Sequence, residues 1–222
     1  MFARIMVPVI CLFLISGCSE ENSEPPVIAP AIYKVTFQAT WSNSTHPTDF
    51  PSNPHFSGII GMTHNEDGKI FDEGNLASTG IKNMAEIGSK DPLQAEITNL
   101  IAGEAAETLI SGGGINPSPG SISTEFTVTP HFPLVTIVSM IAPSPDWFVA
   151  VEGVELIQNN NWVETLAVPV TAYDSGTDSG ATFTSPNALE DPFIPVSLIS
   201  VPPLANGGTV ASMGMMIFER IN

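Results

Sequence analysis

Cysteine is nearly absent: the 222 residues contain two, Cys11 and Cys18. Both fall in the first eighteen residues, so nothing after them can form a disulfide, and thiol catalysis or thiolate-held zinc is excluded there. Basic residues are scarce too, with Lys+Arg 6 against Asp+Glu 23 and a formal net charge of −17. A field of that sign repels phosphate backbones and anionic surfaces while concentrating cations, which excludes nucleic acid as a partner. The four histidines, His46, His55, His64 and His131, are dispersed and form no His-Glu-x-x-His pair. The chain also lacks a Gly-x-Ser-x-Gly elbow, a Walker or dinucleotide glycine pattern, and any repeat of fixed period. No serine triad can be named, and an enzyme is not expected.

The chain has 43% hydrophobic residues, 20 prolines and 18 glycines, with only 13% charged residues. That balance predicts strands and turns rather than charged surface helices, and the length suits one well-buried domain. The opening "MFARIMVPVICLFLISGC" carries Arg4, an apolar run from Ile5 to Ile15, and small residues closing on a cysteine. This is the layout of an export signal, and the run is shorter than the ~20 residues a bilayer span needs. "ISGC" resembles the bacterial lipoprotein box, which implies that residues 1–17 are removed and Cys18 is acylated. By the same resemblance, Ser19 in place of an aspartate points to the outer membrane, on a face the sequence leaves open. Residues 18–30, acidic and proline-bearing, read as a flexible tether, and 31–222 as the folded domain.

"IYKVTFQATW" alternates Tyr33, Val35, Phe37 and Ala39 against polar neighbours, the period of a half-buried strand whose apolar face is core. "SGIIGMTH" predicts a second strand from Ser57 to His64. The period then changes: Leu76, Ile81, Met84, Ala85 and Ile87 stand at helical spacing. "DPLQAEITNLIAGEAAETLI" predicts another helix, with Asp91 as N-cap and Pro92 at its first position. Strands return at "STEFTVTP", "LVTIVSMIAP", "WFVAVEGVEL", "WVETLAVPVTAY" and "GTVASMGMMIFERI".

If Leu134–Ile141 runs up, the strand after Trp147 runs down and Trp162–Ala172 runs up again, the loops holding Asp146 and Asp174 emerge at one end. The stretch "YDSGTDSG" adds Asp178. Three carboxylates gathered on one rim repel one another and raise each other's pKa, whereas Ca²⁺ takes 6–8 oxygen ligands at about 2.3–2.6 Å. Asp146, Asp174 and Asp178 are therefore the candidate metal ligands, for calcium rather than zinc. The alternative is three turn aspartates that share nothing. Asp-Ser-Gly also occurs in aspartic proteases, but two copies in one loop cannot meet across a two-fold axis. Nor does the spacing fit an EF-hand.

"YKVTFQATWSNSTHPTDFPSNPHFSGIIGMTHN", "GNLASTGIKNMAEIGS", "APSPDWFVAVEGVEL" and "YDSGTDSGATFTSPN" together resemble the spondin domain, in order and from about Ile32 to Ile221. The resemblance implies a mainly β fold: an antiparallel β-sandwich with two short helices inserted, similar to calcium-dependent lipid-binding sandwiches. It places calcium at one rim and carries the metal aspartates over to Asp146, Asp174 and Asp178. It implies adhesion and ligand binding without catalysis, toward an unidentified glycan, lipid or protein. The sequence departs from the animal pattern at "IQNNN" before Trp162, where a cysteine pair is often found. A structural envelope lipoprotein with no discrete ligand, and an envelope hydrolase, are the other readings considered.

Overall fold

Alternation builds the first strand. β1 (Ala31–Ala39) buries Ala31, Tyr33, Val35, Phe37 and Ala39, with Lys34, Thr36 and Gln38 on the wetter face. The structure, a computed structural model, describes residues 28–222, so the expected signal peptide, Cys18 and most of the tether lie outside the described residues. After β1 come β2 (His55–Phe56), β3 (Ile60–His64), α1 (Thr79–Ile87), α2 (Leu93–Ala102), β4 (Ala106–Ser111) and β5 (Gly120–Val128). Then follow β6 (Leu134–Ala142), β7 (Trp147–Glu155), β8 (Ile157–Gln158), β9 (Asn161–Trp162), β10 (Thr165–Pro169) and β11 (Thr171–Asp174). β12 (Ser197–Leu198), β13 (Ala205–Asn206), β14 (Thr209–Val210) and β15 (Gly214–Arg220) complete the described elements.

The strands form a β-sandwich. One sheet has the order β10-β15-β1-β5, and the other β12-β11-β7-β6-β3-β4 with β2 paired to β6; β8-β9 and β13-β14 are small separate ribbons. Every pairing is antiparallel. Between the sheets, Tyr33, Phe37, Trp41, Phe56 and Phe218 meet Ile137, Ile141, Val149 and Val151. On the far side of the larger sheet, Ile81 and Met84 of α1 and Leu93 and Ile97 of α2 pack against Ile60, Met62, Val138 and Phe148. β6 and β7 are thus covered on both faces, which is why they read as nearly continuous apolar runs instead of alternating.

Several expectations shift. Pro92, not Asp91, is the N-cap of α2, and it makes no side-chain cap bond. α2 stops at Ala102 rather than running on to Ile110. Glu104 takes φ 58, Ala105 N donates back to Leu100 O, and "AETLIS" becomes β4 against β3. Leu76 and Ile87, at helical spacing with the core positions, are 61% and 71% exposed, because the residues α1 buries are Gly80, Ile81, Met84 and Ala85. Ser57–Ile59 precede the strand expected to include them, and of the last expected strand Thr209–Val210 forms a separate ribbon.

The expected strand Trp162–Tyr173 is three pieces. β9 pairs with β8, β10 joins the smaller sheet on β15, and the chain crosses at Val170 so that β11 joins the larger sheet on β7. Pro169 lies at the end of β10, whose ladder an imino nitrogen cannot extend. The up-down-up relation therefore holds for β6, β7 and β11, and Trp162–Pro169 has no part in it.

Candidate functional site

β11 pairs with β7 in a register that sets Asp174 opposite Trp147. The segment leaving β11 is thereby delivered to the β6–β7 turn, where Ser175 N donates to the carbonyl of Asp146 at 3.1 Å. The turn is fixed locally by Trp147 N donating to Ser144 Oγ at 3.1 Å. The loops that carry Asp146, Asp174 and Asp178 thus meet at one end of the larger sheet.

Asp146 is fully buried. Its Oδ2 accepts from Thr177 N at 2.7 Å, Asp178 N at 3.1 Å and Ser175 Oγ at 3.0 Å. Its Oδ1 is buried with no hydrogen-bond partner among the described residues. Leaving a buried acceptor unpaired costs roughly 1–3 kcal/mol, and more when it is charged. Burial, and then the negative charge of Asp174, push the carboxyl from 3.8 up to about 6 against the opposing pull of those hydrogen bonds.

Asp174 Oδ1 accepts from Gly176 N at 2.8 Å and Oδ2 from the Trp147 indole N–H at 3.1 Å. Burial raises its pKa most, the two donors lower it, and the charges of Glu190 and Asp178 raise it further. Asp178 Oδ1 accepts from Gly180 N at 2.7 Å and Oδ2 from Ala188 N at 3.0 Å. Each Asp-Ser-Gly is therefore a turn closed by an aspartate side chain on the amide two residues later. Gly176 has φ 73, and a Cβ there would lie 2.1 Å from Ile194 O. The loop needs glycine on both counts.

Among the described residues, no lysine or arginine pairs with these carboxylates. Lys34, Lys69, Lys82 and Arg220 pair with Glu219, Asp72, Glu86 and Glu164, and Lys90 donates to Ser111 Oγ and Gly112 O. Among the described residues, no three His, Cys, Asp or Glu side chains form a ready-made metal cluster. An ion here therefore needs main-chain carbonyls, hydroxyls or water beside the aspartates. The donors at hand are all oxygen, a set suited to a hard cation. Spacing did not single out Ser175, Thr177, Trp147 or Glu190; the hydroxyls inside "DSGTDSG" were the available signal for the first two.

His64 lies elsewhere. Its Nε2 faces Thr136 Oγ1 at 2.8 Å and its Nδ1 faces Asn65 O at 2.7 Å, while burial lowers its pKa, so it is a neutral, fully bonded structural histidine. Trp41 Nε1 is also buried without an acceptor. Its ring sits edge-on to Phe50 and Phe56, with centroids 5.4 and 5.6 Å away.

The family model described as Spondin_N matches residues 31–203. Spondin-1 of Gallus gallus is 31% identical over 226 residues, covering 92% of this chain and 28% of that protein. Spondin-1 of Rattus norvegicus is 33% identical, covering 86% of this chain and 25% of that protein. Spondin-2 of Homo sapiens is 35% identical over 165 residues, covering 72% of this chain and 49% of that protein. The chain thus spans half or less of the length of each of these relatives. With the sandwich, the loop turns and this match in register, the chain belongs to the spondin N-terminal domain family.

Proposed function

We propose that the chain is an exported, non-enzymatic adhesion or ligand-binding module that binds one calcium ion at the rim formed by Asp146, Asp174 and Asp178. The reading includes a lipid anchor on Cys18 at the outer membrane of a bacterial envelope. No described helix is long and apolar enough to cross a membrane. The observation that carries the calcium reading is the buried Oδ1 of Asp146 beside two more carboxylates, without a hydrogen-bond partner, lysine or arginine among the described residues.

Bound calcium would supply positive charge and coordination sites for oxygen. Asp146 would offer its free oxygen, and Asp174 and Asp178 the remaining lone pairs on oxygens that each already accept one N–H. The Asx turns hold the last two carboxylates in place before any ion arrives. Extracellular calcium modules bind with Kd on the order of 10⁻⁴–10⁻³ M, which suits a site of this kind.

Calorimetry of the full chain in calcium and in chelator, beside Asp146→Asn, tests the metal. Asparagine preserves the shape and one acceptor but replaces the other oxygen with a donor. Tm should rise with calcium in the parent and barely move in the variant; an equal rise in both would sink the assignment. The Asp178→Asn variant should behave alike, although it also forfeits one main-chain hydrogen bond. Radiolabelled palmitate should enter the parent and not Cys18→Ser.

A further inference from the structure

Seven large apolar side chains are conspicuously exposed among the described residues, and five of them share one region. Leu189, Ile194, Leu198 and Val201 lie on a single segment, and Leu76 joins it through its bridge to Pro195. Each is between 47% and 62% exposed. A cleft of about 370 Å³ runs along this segment, and its lining includes the apolar Ile194, Leu198 and Val201 and the acidic Asp174, Asp178 and Glu190. Among the described residues, no lysine, arginine or histidine lines it.

The cleft follows a sheet edge. Among the described residues β12 pairs with β11 alone, Leu198 opposite Tyr173 and Ser197 opposite Asp174. Ile199 N donates to Ala172 O, so the alternation of an antiparallel ladder turns the N–H and C=O of Leu198 outward. One residue before β12, the outer edge is already occupied: Val196 N donates to Asn75 O and Gly74 N donates to Val196 O. The open part of the edge is therefore the part beside the cleft.

We propose that this cleft docks an extended segment of a partner protein that alternates basic and aliphatic side chains. The aliphatic residues would cover Ile194, Leu198 and Val201, whose exposure is otherwise unfavourable. Lysine or arginine would meet the acidic lining, which stays negative with calcium bound, since Asp174, Asp178 and Glu190 together outweigh one divalent ion. The partner's main chain would reach the outward groups of Leu198. A bilayer fits worse, because the carboxylates beside the apolar side chains would have to enter it as well. The inference rests on the ligand-binding reading and not on calcium.

The full chain is titrated in chelator with a short fluorescein-labelled peptide alternating lysine and valine, by anisotropy. Peptides alternating glutamate with valine and lysine with serine, and phosphatidylcholine vesicles, are the comparators. The lysine–valine peptide should bind roughly tenfold more tightly than either other peptide. Leu198→Ser with Val201→Ser should weaken it roughly tenfold, as should Glu190→Gln with those two intact. Glu66→Gln with Asp67→Asn, on a distant turn, should leave it unchanged. Equal binding by the lysine–serine peptide, indifference to the Leu198 and Val201 changes, or preference for the vesicles would overturn the proposal. Because calcium is absent throughout, failure here and failure of the metal reading are separate results.

Discussion

Asp146 has one oxygen with three well-placed donors and another with none. Its folded pKa is raised to about 6 from 3.8, so the unfavourable work of ionising it in the fold falls between those values. The protonated carboxyl is tolerated in both states at low pH, and stability is lost as pH rises toward 6. The full shift corresponds to roughly 3 kcal/mol. In chelator, the stability of Asp146→Asn relative to the parent should therefore increase with pH across this window, as followed by urea unfolding. With calcium, the order should reverse above pH 6, because the metal needs the ionised form and competes with the proton. A flat difference across the window would show that Asp146 does not titrate there. Gly176 gives a second residue-scale test. Alanine must adopt φ 73 and place its Cβ against Ile194 O, so Gly176→Ala should cost about 3 kcal/mol in thermal unfolding. Spacing pointed to the three aspartates, but the orphan oxygen and the approach of Ile194 come from segments far apart in sequence.

At the scale of elements, the helices are joined by a carboxylate that neither helix's periodicity reveals. Ser78 caps α1 by accepting from Ile81 N, and donates to Glu96 Oε2 on α2, whose Oε1 accepts from Gly80 N. Glu96→Ala removes a charge-assisted partner from both, and should cost about 1–2 kcal/mol in urea unfolding. Glu96→Gln should recover part of that loss; an unchanged midpoint in the alanine variant would dismiss the clasp. β1, β6 and β7 were legible because alternation, or its loss under two covered faces, is a local signal. "AETLIS" was not: alanine, glutamate and leucine favour a helix, and only pairing with β3 makes it a strand. The division of Trp162–Asp174 was hidden for the same reason, since the two sheets claim different halves.

Across the whole molecule, charge acts at the longest range. With a formal −17 and few cations, self-repulsion opposes the compact state. Raising sodium chloride from about 0.01 to 0.15 M shortens the Debye length from about 30 to 8 Å, so Tm should rise in chelator. Calcium adds to this by mass action: at ten times Kd it stabilises by about 1.4 kcal/mol, or roughly 3–6 °C for a domain of this size. Magnesium at equal ionic strength should give the screening part alone, because it demands a tighter octahedral shell. An identical rise with both ions would reduce the calcium effect to screening.

The amino-acid order alone determined a strand-rich core, the paired short helices, and which aspartates stand at the ends of adjacent strands. Those features follow from side-chain period, composition and turn residues, all of them local. Tertiary structure decided which strand belongs to which sheet, which oxygen of Asp146 lacks a partner, and that the exposed apolar residues from Leu76 to Val201 gather beside the acidic loop. Each depends on segments tens of residues apart being brought into contact, and burial and pairing of that kind exist only once the chain has closed on itself.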